Sequence, residues 1–469
     1  MERVDLSPHK TTEPSGRRQF LPILITANAA IFRPSSLSQP ERNVVSGVLG
    51  SGAGAVTMAV SYPIYLHRLG YETYGLWLVL SAVLSFAQLS SFGLSPAVTK
   101  LVAEDKARNR PDGLTGYLGT ALLTLLFSGS MALILLTAFR RPIAQAFGIH
   151  DRAAATAVLL LPWVGVLCLA FLVADLLGAA LSGLGRIDLT NYTQAGSQVV
   201  GAACAILLLR LGYGVESLLI GNALAFLALQ AVAAAYLVRM TNLRLVSLLT
   251  WDVQRFRRLT RLGGGVAGGS LLAMLLSPFN RLVLSRFGGL ATIPVYDIAF
   301  SGSLRMKSLL ESGIRAIMPE ISRVGASGGN RIRARINHIN RRAYVVIFVA
   351  GAPVFVTVAL VAAPALHLWL GARYTGVLPA ALRIALLGTF LSLLATPPYF
   401  TLMGLGIARH IFGSFVVQSS TNVAMVLLAV LASGTLSVST ALWGGALGMG
   451  VCLAYLSFFG WRTVSRFGD

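Results

Sequence analysis

Six polar side chains on one apolar stretch are the residues best placed to do chemistry. Asp297, Ser301, Arg305, Ser308, Ser312 and Arg315 recur every three or four positions. On a helix they fall within about an 80° arc and form one stripe roughly 27 Å long. Such a stripe cannot face lipid, because ionisable groups at membrane depth turn toward a wet cavity or toward each other. One reading is a cavity wall in which Arg305 sits near mid-depth and Arg315 nearer the cytoplasm, both offering charge to an anionic substrate. Arginine suits a phosphate because its planar fork donates two hydrogen bonds and keeps its charge when partly buried. The other reading is an internal salt-bridge network, for instance Asp297 with Arg281. Lys307 and Glu311, four apart on a neighbouring face, can pair with each other.

Further polar residues stand in the neighbouring spans. Asn280 and Arg281 join the candidate cavity set. Arg281 and Arg383, however, lie within about six residues of expected outer ends, where long side chains snorkel. Asp175 is a possible ion or proton site, or a hydrogen-bonded structural carboxylate.

The elements that must hold these residues are membrane spans. Of 469 residues, 55% are hydrophobic and only 12% charged, and mean hydropathy is +0.73; a soluble globular chain carries about 25% charged residues. Disordered, collagen-like and disulfide-scaffold classes are excluded together. Twelve stretches reach the roughly 20 apolar residues that a spanning helix needs: 43–67, 73–95, 114–137, 154–183, 192–211, 216–238, 262–286, 291–314, 344–370, 376–400, 410–431 and 438–460. The expected fold is therefore an all-α polytopic membrane protein.

Orientation follows from the basic loops. Lys and Arg number 38 against 17 Asp and Glu, a formal charge of +21. In a nucleic-acid binder they would gather with aromatics on one solvated face; here they alternate between loops. One side collects 26 and the other seven (Arg68, Arg140, Arg141, Arg152, Arg210, Arg286 and Arg373). By the positive-inside rule both termini are cytoplasmic. Cys168, Cys204 and Cys452 are far apart in apolar runs, so neither a disulfide framework nor a metal site is expected.

The chain divides into an N-terminal extension over 1–42, read as disordered or interfacial; a six-helix half over 43–238; a linker over 239–261; a second six-helix half over 262–460; and a tail over 461–469. Arg17 and Arg18 before the short apolar run 20–32 give the extension a faint look of a signal peptide, but cleavage would invert the charge rule. In the linker, Leu245, Leu249, Val253, Phe256 and Leu259 recur at helical spacing, which predicts a helix lying on the inner membrane surface with its arginines toward anionic headgroups.

A repeat underlies the two halves. Leu66-His-Arg-Leu-Gly70 resembles Leu284-Ser-Arg-Phe-Gly288, Gly93-Leu-Ser-Pro resembles Gly313-Ile-Arg-Ala, and Ser182-Gly-Leu-Gly185 matches Met403-Gly-Leu-Gly406, at offsets of 218, 220 and 221. Transporters are often built from such halves, with the substrate path between them. Gly50, Gly52 and Gly54 in the first span, and 263–269 in the seventh, are small-residue sites where helices approach closely or bend during gating. No phosphate-cradling nucleotide loop, zinc-protease motif or nucleophile elbow occurs, and the longest outer loop is only about 16 residues. An enzyme is not expected.

Four segments carry a family resemblance: Tyr65-Leu-His-Arg-Leu-Gly-Tyr-Glu-Thr-Tyr-Gly-Leu-Trp77, Ser91-Phe-Gly-Leu-Ser-Pro-Ala97, Leu181-Ser-Gly-Leu-Gly-Arg-Ile-Asp-Leu-Thr-Asn191, and 280–299 ending Val-Tyr-Asp-Ile-Ala. In their order and spacing within twelve spans the chain resembles the polysaccharide-unit flippases of O-antigen and exopolysaccharide synthesis, within the multidrug/oligosaccharidyl-lipid/polysaccharide (MOP) exporter superfamily. The resemblance implies a MATE-like arrangement around a central cavity in a bacterial inner membrane. It further implies an undecaprenyl-diphosphate-linked glycan as substrate, flipped to the outer leaflet by alternating access under an ion gradient or membrane potential, without a cofactor. Membrane lipids, a polysaccharide polymerase and a chain-length regulator are the implied partners. The family's acidic residue near Asn280 and Arg281 is absent, which puts a shared ion site there in doubt. Two alternatives stand beside this reading: an ion-coupled drug or cation extruder of the same superfamily, disfavoured by the basic excess in spans seven, eight and ten, and a membrane-embedded glycan polymerase or ligase, for which no large outer loop or catalytic acid is found.

Overall fold

A computed structural model describes residues 38–465, apart from 88–90, 92, 109–110, 242–247, 315–316 and 327–331. Its described residues form helices joined by short turns, with no strand among them. The N-terminal half contains α1 (Gln39–Ala87), α2 (Leu94–Ala107), α3 (Pro111–Ala138), α4 (Arg140–Ala146), α5 (Asp151–Gly183), α6 (Ile187–Arg210) and α7 (Glu216–Thr241). The C-terminal half contains α8 (Val253–Gly288), α9 (Thr292–Ile314), α10 (Ile317–Ala326), α11 (Ile332–Val346), α12 (Ala352–Leu370), α13 (Val377–Leu394), α14 (Thr396–Gly404), α15 (Ala408–Ser433) and α16 (Val438–Ser465). Among the described residues nine helical stretches are long and apolar enough to cross a membrane. The first of these is two spans, because Gly70 breaks α1 with φ 75° and ψ 174°. With α8 and α9, which are long enough but more polar, the structure is compatible with twelve.

Positive-φ glycines mark where chain direction reverses, since only a residue without Cβ enters that region cheaply. They occur in corresponding places in both halves: Gly70 with Gly289, Gly148 with Gly371, Gly185 with Gly406, and Gly212 with Gly434. One of the sequence repeats, Gly185 with Gly406, is thus a repeat of backbone conformation. The other two are not: Gly288, the sequence counterpart of Gly70, is the last helical residue of α8 and the turn falls at Gly289, while Gly93 is left-handed with φ 68° and Gly313 lies inside α9.

Three expectations change. The second span is not one helix to residue 95; it ends at Ala87 and resumes as α2, which continues through Lys100 and Lys106. The linker is not a separate surface helix over its whole length. Residues 242–247 lie outside the described set, and 253–261 are the first turns of α8, started by Asp252, whose carboxylate accepts from the Gln254 and Arg255 amides, a standard N-cap. The extension over 1–42 falls outside the described residues up to 37, and from Gln39 the chain is already α1.

The halves meet unevenly. At the end opposite the basic loops, the Tyr71 hydroxyl donates to the Arg373 carbonyl at 2.6 Å, Trp369 to Ala59 at 2.7 Å, and Ser285 to Phe147 at 2.6 Å. Leu66, Tyr74, Leu284, Ile293, Leu378 and Leu442 share one buried core there. At the basic end the start of α8 reaches across: Leu259 is buried among N-terminal side chains, and Arg258 donates to Tyr117 at 2.8 Å and lies 3.5 Å from Glu104. α8 therefore begins against one half and ends inside the other, helical through the glycines of 263–269.

Candidate functional site

The polar stripe on α9 separates into two parts. Its far end is a closed cluster. Asp297, 1% exposed, accepts from Tyr62 of α1, from Arg281 of α8 and, at 3.3 Å, from Ser301 one turn along. Arg281 also donates to Ser81 of α1 at 3.3 Å. The expectation that Arg281 snorkels is corrected: its side chain is 15% exposed and paired inward. Desolvating both charges is costly unless they neutralise each other with hydrogen bonds to spare, and the Asp297 carboxylate has those bonds. The internal salt-bridge reading is the right one at this end, and the cluster pins the two halves together.

Arg305, two turns further, is different. Its guanidinium lies against Gly54 of α1 and beside Gln198 of α6: a Cβ on Gly54 would fall 2.8 Å from Arg305 Nη1 and 2.7 Å from Gln198 Oε1. It is half-buried, and no acidic group of a described residue stands within ion-pair distance. Gly54 is thus more than a flexible or tightly packed position, because its missing side chain is the space that the guanidinium occupies. The hydroxyl of Ser308 is spent on the Arg305 carbonyl at 2.8 Å, and Lys307 pairs with Glu311 at 3.3 Å as its spacing predicts. Arg315 and the Ser312 side chain lie outside the described residues.

Asn280 does not line the large cavity described below. It is 2% exposed and exchanges amide hydrogen bonds with Asn422 of α15 at 2.9 and 3.3 Å, with a third to Tyr296 at 3.0 Å. Reciprocal amides satisfy each other, as buried polar groups must.

A cavity of about 980 Å³ opens inside the N-terminal half, walled by α1, α2, α5, α6 and α7 with Met274 of α8 on its flank. Asp175 faces it next to Ser95 and is exposed, so the carboxylate is a wall group. Trp77, Gln194, Gln198 and Gln230 line it too, and the rings of Phe171 and Phe226 stack at 5.5 Å on its side. These residues, like Tyr62 and Asn422, were missed by sequence reasoning that looked for charge. The available signal was the pair Gln194 and Gln198, four apart in an apolar span. Gln198 belongs to the cavity wall and to the Arg305 site at once.

The family described as "Polysaccharide biosynthesis protein" matches residues 68–379. A Shigella flexneri protein named as a candidate O-antigen transporter is 21% identical over 369 residues, covering 78% of this chain and 85% of that one. An inward-facing multidrug resistance MATE family transporter of the MOP superfamily superposes with a TM-score of 0.66 at 16% identity, covering 94% of this chain and 98% of that one. A MOP superfamily transporter from Pyrococcus furiosus gives 0.64 at 16% identity over 91% and 96%. The fold is that of the MATE transporters, and the chain is a multi-pass membrane protein.

Proposed function

The chain belongs to the polysaccharide biosynthesis protein family, and on that premise we propose that it flips undecaprenyl-diphosphate-linked oligosaccharide units from the cytoplasmic to the outer leaflet of a bacterial inner membrane. The observation that carries this reading is Arg305: a half-buried guanidinium without an acidic partner among the described residues, held between the halves in the space that Gly54 leaves. A diphosphate carries negative charge and accepts hydrogen bonds only, and a planar donor fork in a partly desolvated site is its natural complement. With both termini cytoplasmic, the end where the halves are tied together faces outward and the cavity is approached from inside, as an inward-facing state requires. A polymerase and a chain-length regulator would take up the exported unit.

One observation favours the runner-up, an extruder of organic cations. Asp175 brings a carboxylate to a cavity lined partly by aromatics, and such walls attract cations. Arg305 argues against that cargo.

Deleting the gene tests both. Build-up of diphosphate-linked oligosaccharide on the cytoplasmic leaflet with loss of surface polysaccharide is the expected result; an unchanged pool with altered drug sensitivity overturns it in favour of the extruder. Arg305→Ala should remove surface polysaccharide while the protein stays inserted, and wild-type surface glycan in that variant would sink the assignment. A C-terminal reporter active only outside the cell membrane would contradict the orientation.

A further inference from the structure

The N-terminal cavity lies to one side of Arg305, and its chemistry is not that of a diphosphate site. Of its lining residues only Asp175 is ionisable; none is Lys, Arg or His. An anionic group inside would meet a carboxylate and no cation. What the walls do offer is neutral hydrogen-bonding capacity. Gln194, Gln198 and Gln230 each carry an amide donor and an amide acceptor, and among the described residues none of the three is bonded to protein. Ser95 adds a buried hydroxyl beside the Asp175 carboxylate. Polar groups left open in a wall are satisfied by what fills it. The rest of the lining is apolar or aromatic, with Trp77 on α1 and the stacked Phe171 and Phe226.

A pyranose ring has the matching profile. It presents a rim of hydroxyls, each donor and acceptor, around an apolar face of C–H groups that packs on aromatic rings. A lipophilic cation would be drawn to Asp175 and the rings but would cover the amides without answering their hydrogen bonds. About 980 Å³ is at the upper end of the roughly 300–1,000 Å³ found for small-molecule sites, enough for more than one sugar ring. Gln198 supplies the connection: its amide lines the cavity and also reaches Gly54 beside Arg305. A glycan in the cavity and its diphosphate at Arg305 would therefore be contiguous.

We propose that the N-terminal cavity is a binding site for the uncharged sugar portion of the cargo, recognised by the amides of Gln194, Gln198 and Gln230 and by the Trp77 ring, separately from the diphosphate held at Arg305. This rests on the reading of the chain as an exporter of lipid-linked glycan. The test uses the full-length protein in lipid nanodiscs and saturation-transfer NMR. The probes are a panel of uncharged oligosaccharides of two to six residues, together with the oligosaccharide freed by mild acid from the lipid-linked pool of a deletion strain. Saturation should reach the ring protons, Gln194→Leu and Gln230→Leu should each weaken binding about tenfold, and Ser197→Trp, which fills the cavity without removing an amide, should abolish it. Arg305→Ala should leave binding of the freed oligosaccharide intact and weaken only the diphosphate-linked form. No transfer to any sugar, transfer indifferent to all three cavity variants, or binding of tetraphenylphosphonium in place of sugar would overturn the proposal. A deletion strain without a lipid-linked pool would sink the export reading instead, while the panel still decides whether the cavity holds sugar.

Discussion

The two halves turn at corresponding glycines, yet among the described residues the N-terminal half holds a large cavity where the C-terminal half packs closely around Asn280. In the N-terminal half the helices stand around about 980 Å³ bordered by amides and hydroxyls. In the C-terminal half the gap beside Asn280, Tyr296 and Met449 is only about 10 Å³, barely enough for one water. Two choices of side chain make the difference. Glycines let the C-terminal helices close up: a Cβ on Gly388 would lie 3.0 Å from Ala446 Cα, and one on Gly448 would lie 2.6 Å from the Gln418 carbonyl, the small-residue packing typical of membrane interfaces. Large apolar groups then fill the rest, with Phe355, Leu386, Leu393 and Phe400 in one cluster. A repeated backbone thus fixes where helices turn and leaves the interior free to diverge.

That contrast can be broken experimentally, most severely at the cluster joining the halves. Asp297→Asn leaves Arg281 buried without its counter-ion, and losing one member of a buried pair costs about 3–5 kcal/mol. The apparent melting temperature in detergent should fall sharply, and Asp297→Leu combined with Arg281→Met should recover much of the loss; if the double variant is no better than the single, the cluster is not a coupled pair. Next comes the solid core. Leu393→Ala, at a fully buried position, should cost about 2–5 kcal/mol, and surface polysaccharide should decline only in step with protein level. Third, Gly54→Ala pushes its Cβ into the Arg305 guanidinium. Export should drop roughly tenfold, equivalent to about 1.4 kcal/mol, with melting unchanged, and a normal export rate would mean that the guanidinium's position does not matter. The smallest stability effect belongs to the compartment: Gln194→Leu should shift folding by no more than about 0.5 kcal/mol while lowering export. A large loss of melting temperature there would make the N-terminal wall a core like the other.

Much of this architecture is legible in the chain because membrane physics is strict. Helices must be apolar and about 20 residues long, so the span frame can be read directly, and one of the three repeats found in the sequence, Gly185 with Gly406, coincides with positive-φ glycines at both positions. The stripe on α9 is equally legible as a stripe. What spacing cannot say is which partner faces each group. Asp297 and Arg305 lie on the same helical face, but Tyr62 and Arg281 close around the first and an empty glycine position admits the second. The cavity is the least legible feature. Its signal is neutral amides, which cost little in an apolar run and carry no periodicity, and it becomes visible only when Gln194, Gln198 and Gln230 are brought to one wall. The start of α8 was hidden for another reason: the masking arginines of 253–261 make the first turns of a spanning helix look like a surface segment.

The course of α8 has a mechanical consequence. Its first turns are fastened to one half through Arg258 and Leu259, and its last turns are fixed in the other through Asn280 and Arg281. A rod clamped to two bodies that swing against each other has to flex between its clamps. The stretch between them is 263–269, five glycines in seven residues, where each glycine lowers helix stability by about 1 kcal/mol relative to alanine. In the language of machines, under the proposed alternating access this segment would serve as a flexure: a spring between two bolted ends.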